Sequence, residues 1–530
     1  MCGIGAVFGK SIGDGESTVK KSLDAIRHRG YSHDEIAAGE DCALGANRLE
    51  IVDSPNARQP QTNEDRTIFA VFNGEIFNHN ALRQGLAARG HVFRTASDTE
   101  VLAHLYEEHG PGMVKMLDSE MFAFFIYDRR RNSFFAARDR YGVKPLYHAL
   151  DSSGNRHFAS EIKQLSQFGD IRRIDFFPPG HFMLDGRLTR YYSIPGPGDK
   201  MPQRSEAIIP RLRSLFDSAV KKRADTDLPL CVFLSGGVDS TSVLATARKF
   251  HDSVTAITVG LPGSQDLAVS KKYCSENGIR HLTFRPPSEK ELVLMLPKFV
   301  RITESFEPHV LRYAAVNYFI AEFAAKSGFR VVLSGDGAEE IFAGYTAFDR
   351  AKDYAEVSRM LYLLETGLHR MQFQRVDRIS MFHTLEVRVP FFDTDFADYA
   401  IRIPSELKIR DCGGRRVEKW IWREAMRDRL PSYIADRGKS VLTEGAGYGI
   451  GEASAGMFHE AANESISDRE LAGLRRAYPD WNITDKETAY YFRMFLDNGY
   501  AKAEFSKDRP YIHRSRLSRL QALVSRVLRL

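Results

Sequence analysis

An apolar run, Leu230-Cys231-Val232-Phe233, breaks into Leu234-Ser235-Gly236-Gly237 and resumes as a helical pattern at Val238-Asp239-Ser240. A buried strand that turns through two glycines into a helix leaves several backbone N–H groups facing one concavity. The positive end of the helix lies behind them. That arrangement suits phosphate. The loop is not the commoner P-loop, because Gly-x-x-x-x-Gly-Lys-Ser/Thr is absent and no lysine follows the glycines within a turn. Instead Asp239 stands at the helix start, where a carboxylate can hold Mg²⁺ against phosphates.

Two further groups could do chemistry. Small residues follow Met1, which predicts removal of the initiator and leaves Cys2 with a free α-amine. That amine titrates at roughly 7.7–8.0 and a thiol at about 8.5, so the amine can act as base for its own side chain, directly or through a water. Taken alone, Cys2 reads first as a small apolar residue opening the strand Ile4–Phe8. The other group is Ser334-Gly335-Asp336-Gly337-Ala338-Glu339-Glu340. Its three carboxylates within five residues repel one another unless a cation or an ammonium group is present.

The elements that must position these groups fall into two patterns. Up to about residue 192 the strands are short, aromatic and alternating (Ile68–Phe72, Met121–Asp128, Ser133–Ala137, His181–Leu184), with a helix at Ser97–Glu108. Stacked, largely antiparallel sheets with helices outside are expected there. Three prolines and two glycines in Ser193–Pro202 mark a linker. Beyond it strand and helix alternate: a helix from Ile208, the strand at 230, a helix from Val238 to Phe250 and a strand at Val254–Gly260. A helix at Asp266–Asn277, a strand at His281–Phe284, a helix at Arg312–Lys326 and a strand at Phe329–Leu333 follow. Such alternation implies a parallel sheet with ligands at the carboxyl ends of its strands, so the loops after Leu234 and Leu333 converge on one site.

With 530 residues, 43% of them hydrophobic and 27% charged, the chain can bury two sizeable cores. A net charge of +5 spread over this length does not call for nucleic acid. Five cysteines, with no Cys-x-x-Cys pair, fit a reducing cytoplasm and argue against a structural zinc site. No apolar run approaches the roughly 18 residues of a membrane helix, and the opening Met1-Cys2-Gly3-Ile4 is no signal segment.

Five blocks occur in order in the first part: Arg27-His28-Arg29-Gly30, Asn47-Arg48-Leu49-x-Ile51-Val52-Asp53, Gln59-Pro60, Asn73-Gly74-Glu75-Ile76-Phe77-Asn78 and Ser97-Asp98-Thr99-Glu100. They resemble the class II glutamine amidotransferase domain, together with Gly-x-x-Pro-Leu-Tyr at 142–147 and Ala159-Ser160-Glu161-Ile162-Lys163. The resemblance implies the four-layer αββα fold of N-terminal-nucleophile hydrolases, with Cys2 as nucleophile. Free glutamine presents an α-carboxylate, suited to Arg48, and an α-ammonium, suited to Glu75 and Asp98. Leu49, Ile51 and Val52 complete its pocket, and Asn73 with the N–H of Gly74 would receive the oxyanion. The bland reading of Asn73-Gly74 is a hairpin turn between Ile68–Phe72 and Ile76-Phe77.

Beyond residue 206 the chain resembles glutamine-hydrolysing asparagine synthetases, on the Ser-Gly-Gly-x-Asp-Ser loop, Gly260-Leu-Pro-Gly-Ser-x-Asp266, Leu385-Glu-Val-Arg-Val-Pro-Phe391, Leu430-Pro431 and Arg437-x-Lys439 leading to Gly445. The implied fold is the parallel-sheet ATP-pyrophosphatase type. The implied domains are 1–192 for the amidotransferase, 193–205 for the linker, 206–508 for the synthetase and 509–530 for a basic tail. Phe233, Leu234, Ser235, Gly236, Gly237, Asp239, Ser240, Val259, Gly260, Ser334 and Gly335 would bind ATP. Asp239 and Glu339 would carry Mg²⁺, Asp336 would guide ammonia, and Lys439 would neutralise charge at the attacked phosphorus. Ammonia would pass from Cys2 to an acyl-adenylate through an internal channel. The implied partners are small molecules, namely glutamine, ATP and aspartate or another carboxylate, without nucleic acid or membrane; a homodimer is compatible with the reading.

The chain departs from the family in three places. Tyr31-Ser32 replaces the usual Pro-Asp after Arg-His-Arg-Gly. Gly335-Asp336-Gly337-Ala338-Glu339-Glu340 replaces Gly-Glu-Gly-Ser-Asp-Glu, so one acid is a methylene shorter and another a methylene longer. His309-Val310-Leu311-Arg312-Tyr313-Ala314 replaces Thr-Thr-x-Arg-Ala-Ser, keeping in Arg312 the partner for an acceptor carboxylate and losing the small hydroxyls. The acceptor is therefore open between the β-carboxylate of aspartate and another acid, such as a sugar uronate or a secondary metabolite. Arg509–Leu530 carries six arginines with apolar residues near helical spacing, a solvated terminus or an amphipathic helix.

Overall fold

The first strand of the computed structural model, β1 (Cys2–Phe8), divides its side chains between two layers: Cys2, Ile4 and Ala6 face one and Val7 the other. The structure describes residues 2–500 apart from 11, 34, 53–55, 202–203, 439–441 and 449–455. Its described residues fold into two compact units, one formed by 2–193 with 381–384 and 495–500, the other by 194–380 with 385–494.

In the first unit β1 pairs antiparallel with β2 (Cys42–Arg48), in the register Cys2↔Arg48 to Phe8↔Cys42. The second sheet is built on β3 (Ile68–Gly74), β4 (Phe122–Asp128) and β5 (Ser133–Arg138). β6 (Tyr147–Leu150) and β7 (Arg156–Ala159) extend the first sheet, and β8 (His181–Leu184) extends the second. Between the sheets lie Ile4, Ala6, Leu44, Val71, Phe125, Phe134 and Phe158. Each phenylalanine there contributes about 1.5–3 kcal/mol by burial, so this layer holds the sheets face to face. Helix α1 (Gly15–Asp24) covers the outside of the first sheet through Val19 and Leu23. α2 (His79–Ala87) and α3 (Asp98–His109) cover the second, setting Leu86, Val101, Leu102 and Leu105 against Phe72, Phe122, Phe124 and Phe135. The result is the four-layer αββα arrangement.

The second unit opens with α4 (Ser205–Ala224), whose buried Phe216 stacks edge-on to Trp422 at 4.7 Å. Then β9 (Leu230–Phe233), α5 (Val238–Ala247), β10 (Val254–Val259), α6 (Gln265–Glu276) and β11 (His281–Phe284) alternate. They are followed by α7 (Pro308–Lys326), β12 (Val331–Leu333), α8 (Ala338–Phe342), α9 (Gln372–Phe382), β13 (Glu386–Arg388) and α10 (Trp420–Met426). The five strands are parallel in the order β11-β10-β9-β12-β13. The winding reverses between β9 and β12, and the crevice beyond the carboxyl ends at such a switch point is where open α/β sheets bind ligands. No described helix is long and apolar enough to cross a membrane.

Candidate active sites

The strand period brings Cys2 and Asn73 together. Cys2 shares the inward face of β1 with Ile4, and Asn73 lies two residues from inward-facing Val71 on β3, so the sheets deliver one residue each to the layer between them. The Cys2 nitrogen donates to Asn73 Oδ1 at 3.2 Å. Asn73 is fully buried, and its Nδ2 has no hydrogen-bond partner among the described residues. A buried donor without a partner is costly, so this amide is left to serve an acceptor that the protein itself does not supply. Asn73-Gly74 is not a hairpin turn: β3 runs through both, pairing Asn73 with Ala123 and Gly74 with Phe122. Gly74 is required by close approach, since a Cβ there would stand 2.2 Å from the Met121 carbonyl oxygen.

The surrounding blocks brace this centre. Arg29, fully buried, donates from Nε to the Cys2 carbonyl at 3.1 Å and from Nη1 to Glu161 at 2.8 Å. Arg48 is the cross-strand neighbour of Cys2 and donates to the Val52 carbonyl at 2.8 Å. Leu49 is buried, while Ile51 and Val52 are half-buried; Asp53 lies outside the described residues. Glu75 follows Gly74 in the chain, and Asp98 in the first turn of α3 accepts from the Ile76 N–H at 3.1 Å. Gln59 is a motif residue to which the sequence assigns no role. Its Nε2 donates to Cys2 Sγ at 3.3 Å and its amide clasps the Phe72 backbone, which holds the thiol in place.

In the second unit one cleft at the ends of β9, β10 and β12 is lined by Phe233, Leu234, Ser235, Asp239, Ser240, Val259, Ser334, Gly335, Asp336 and Glu339. Gly237 caps α5, Gly236 lies beside it, and the Gly260 N–H closes β10 by donating to Phe284 at 3.1 Å. The two loops touch at Gly335, where a Cβ would stand 2.9 Å from the Ser240 nitrogen. Ser240 Oγ accepts from the Ser235 N–H at 3.1 Å and ties the turn to the helix. Arg437 donates to the Ser235 carbonyl at 2.9 Å and to Asp266 at 2.6 Å, linking the Arg-x-Lys block to the phosphate-type loop.

Each of the three clustered acids is neutralised differently. Asp336 bonds Ser334 and Gln372 and lies 3.5 Å from the guanidinium of Arg375. Glu339 lies 3.0 Å from Lys419 Nζ, which also bonds Asp239. Glu340 is buried: desolvation, aided by the charge of Glu339, pushes its carboxyl up to about 7, and it accepts from Tyr345 at 2.7 Å. Lys419 keeps its proton, because attraction to Asp239 and Glu339 overcomes burial and raises its pKa.

Arg312 is not brought to the cleft lining. It sits on α7, but its guanidinium forms a two-pronged pair with Glu487 at 2.9 and 2.5 Å. The same helix presents His309, Tyr313 and Asn317 to the cleft, and the lining arginine is Arg375. Lys439 and the tail 509–530 lie outside the described residues.

A family profile described as a glutamine amidotransferase domain matches residues 1–175, and one described as asparagine synthase matches 211–356 and 349–521. The chain is 34% identical to glutamine-hydrolyzing asparagine synthetase 2 of Arabidopsis thaliana, covering 95% of this chain and 88% of that protein. It is 34% identical to the corresponding enzyme of Sandersonia aurantiaca, over 95% of this chain and 97% of that one. Against synthetase 2 of Oryza sativa subsp. japonica the identity is 35%, over 95% and 86%. The chain belongs to the glutamine-hydrolysing asparagine synthetase family.

Within that family the cleft is the ATP-pyrophosphatase fold's own, and the donors offered there suit Mg²⁺. Asp239 and Glu339 present hard carboxylate oxygens, and the Lys419 ammonium between them marks a place where positive charge is accepted. Sequence reasoning missed Lys419. Its one signal is a lysine immediately before the apolar Trp420-Ile421-Trp422, a position at which burial of the charge requires acids opposite.

Proposed function

We propose that this synthetase-family chain converts aspartate to asparagine, taking nitrogen from glutamine and driving force from cleavage of ATP to AMP and pyrophosphate. Once Met1 is removed, the α-amine of Cys2 accepts the thiol proton and Sγ attacks the glutamine side-chain amide. Asn73 Nδ2 and the Gly74 N–H stabilise the oxyanion; ammonia leaves with the proton, and water hydrolyses the thioester to glutamate. Arg48 holds the glutamine carboxylate, and Glu75 and Asp98 hold its ammonium.

In the second unit the Ser235–Gly237 loop and the start of α5 cradle the phosphates, and Phe233, Val259, Ser334 and Gly335 hold the nucleoside. The acceptor carboxylate attacks the α-phosphorus and pyrophosphate departs. Mg²⁺, when bound, supplies neutralising charge for the departing phosphates, with Asp239 and Glu339 as its holders. Asp336 orients ammonia toward the acyl carbon, and Lys439 neutralises charge at phosphorus. Ammonia reaches this centre within the protein rather than through bulk water. Five free thiols suit a cytoplasmic setting.

The observation that carries the reading is the Asn73 side chain beside Cys2, bonded to it through Oδ1 and with Nδ2 unpartnered among the described residues, in a chain that also holds the Ser-Gly-Gly cleft with its acids. ATP–pyrophosphate exchange over a panel of acids, with mass detection of the amide product, tests it. Exchange and asparagine formation with aspartate are expected. Exchange confined to a uronate or another acid would remove aspartate from the proposal while leaving the reaction type.

A further inference from the structure

In the amidotransferase unit three segments meet beside α3. The turn at 63–67 carries Glu64, the connection after α2 carries His91, and α3 carries His104 and Glu107 one turn apart. One ligand atom from each of the four lies within 4.8 Å of every other. Three of them make a near-regular triangle: His91 Nδ1 to Glu64 Oε1 is 2.9 Å, His91 Nδ1 to His104 Nδ1 is 3.2 Å, and His104 Nδ1 to Glu64 Oε1 is 3.4 Å.

We propose that Glu64, His91, His104 and Glu107 form a site for a divalent transition metal of the zinc type, independent of the two reaction centres. A tetrahedral ion with bonds of roughly 2.0–2.1 Å has ligand-to-ligand edges of about 3.3–3.4 Å, close to the triangle above. The outward nitrogens match as well. His91 Nε2 is 3.2 Å from Glu108 Oε1, and His104 Nε2 is 3.7 Å from Glu100 Oε1. The carboxylate at hydrogen-bond distance behind His91 favours a proton on its Nε2 and an Nδ1 lone pair turned inward, the arrangement that orients metal-binding histidines, while His104 Nε2 is buried and makes no hydrogen bond among the described residues.

The site is built rather than incidental. His104 is fully buried, with the ring of Phe93 packed on it at 4.3 Å between centroids. Glu64 Oε1 is fixed by the Val92 N–H at 2.9 Å, and Asn63 donates to Glu107 Oε2 at 2.9 Å. A competing cation, Arg130, stands 3.6 Å from Glu107. Two imidazoles with two carboxylates suit zinc among the divalent ions, whereas all-oxygen sets suit magnesium. No cysteine takes part, so the cysteine spacing that argues against a structural zinc site does not bear on this one. A metal here would join the 63–67 turn and the α2–α3 connection to the helix whose first turn carries Asp98.

The test uses the full chain stripped of metal and dialysed against zinc chloride without ATP or Mg²⁺. One zinc per chain is expected, retained in Asp239→Asn and lost in His91→Gln. Glu108→Gln, which removes the carboxylate behind His91 together with the surface partner of Arg89, should weaken binding about 10- to 100-fold. Cobalt in place of zinc should show the strong visible absorption of a tetrahedral site in the native chain and not in His91→Gln. Should His91→Gln fail to fold, Glu107→Gln and Glu108→Gln, at partly exposed positions, decide by the same measurement. Absence of stoichiometric zinc in the native chain, or zinc undiminished in these variants, overturns the proposal.

Discussion

The ammonium of Lys419 lies 3.0 Å from the carboxylate of Glu339, in the same buried space that Asp239 reaches from the start of α5. Lys419 is 180 residues from Asp239 in the chain and stands at the N-cap of α10 in a left-handed conformation. Lys419→Met would leave two carboxylates facing each other without their cation. Breaking a buried pair by removing one partner costs about 3–5 kcal/mol, and we expect the variant to melt lower. ATP–pyrophosphate exchange should fall by roughly 10²-fold or more, since the charge next to the phosphates is removed. Unchanged exchange in a folded Lys419→Met protein would refute this role.

Asn73→Ala tests the first centre. The side chain touches Cys2 through Oδ1, leaves Nδ2 unpartnered among the described residues, and is proposed to stabilise the oxyanion through it. Loss of one such donor lowers kcat by about 10²–10³, so glutamine hydrolysis should drop by that factor with little change in KM. Ammonium-dependent amide synthesis should persist, because the second centre is untouched. A change in KM alone would mean that Asn73 binds substrate without stabilising the transition state.

What the sequence made legible, and what it hid, follows from range. The strand–glycine–helix unit at 230–247 and the acidic loop after Leu333 are local patterns, and parallel winding makes their convergence predictable. The helix expected at Ser97–Glu108 is α3 with Ser97 as its cap, and the strand at His281–Phe284 has those same ends. Val238–Phe250 stops earlier, at Ala247, where backbone N–H groups of Arg248 to Phe250 close the last turn. Lys419 and Gln59 could not be placed by pattern, because their partners lie 180 and 57 residues away. The need for a cation near the three acids was readable; which residue supplies it was not.

Glu340 gives a pH dependence of stability. Its folded carboxyl is raised to about 7 from an ordinary value of 4.5. The folded state therefore binds the proton more tightly than the unfolded one. Stability from this group is complete below pH 4.5 and declines as pH rises toward 7. Glu340→Gln keeps a neutral group of the same shape and should match the native protein at low pH. Well above pH 7 it should be the more stable protein, by on the order of 3 kcal/mol. A stability difference that does not vary between pH 5 and pH 8 would contradict the assignment.

The sequence assigns Arg312 to the acceptor carboxylate, yet its fork is committed to Glu487, which also accepts from Tyr491 at 2.9 Å. Glu487 is 3% exposed, so Arg312→Met would strand a buried carboxylate and cost about 3–5 kcal/mol. Neutralising the partner as well, in Arg312→Met with Glu487→Gln, should recover most of that loss, since residues in one ion pair are not additive. A positioning role through α7 predicts that the double variant also regains a near-native KM for the acceptor acid. If Arg312 instead binds the acid directly after releasing Glu487, stability returns in the double variant while the KM stays raised roughly tenfold or more, the loss of a charge-assisted pair. Thermal melts and acceptor titrations on the native, single and double proteins separate these outcomes, because only direct binding uncouples stability from KM.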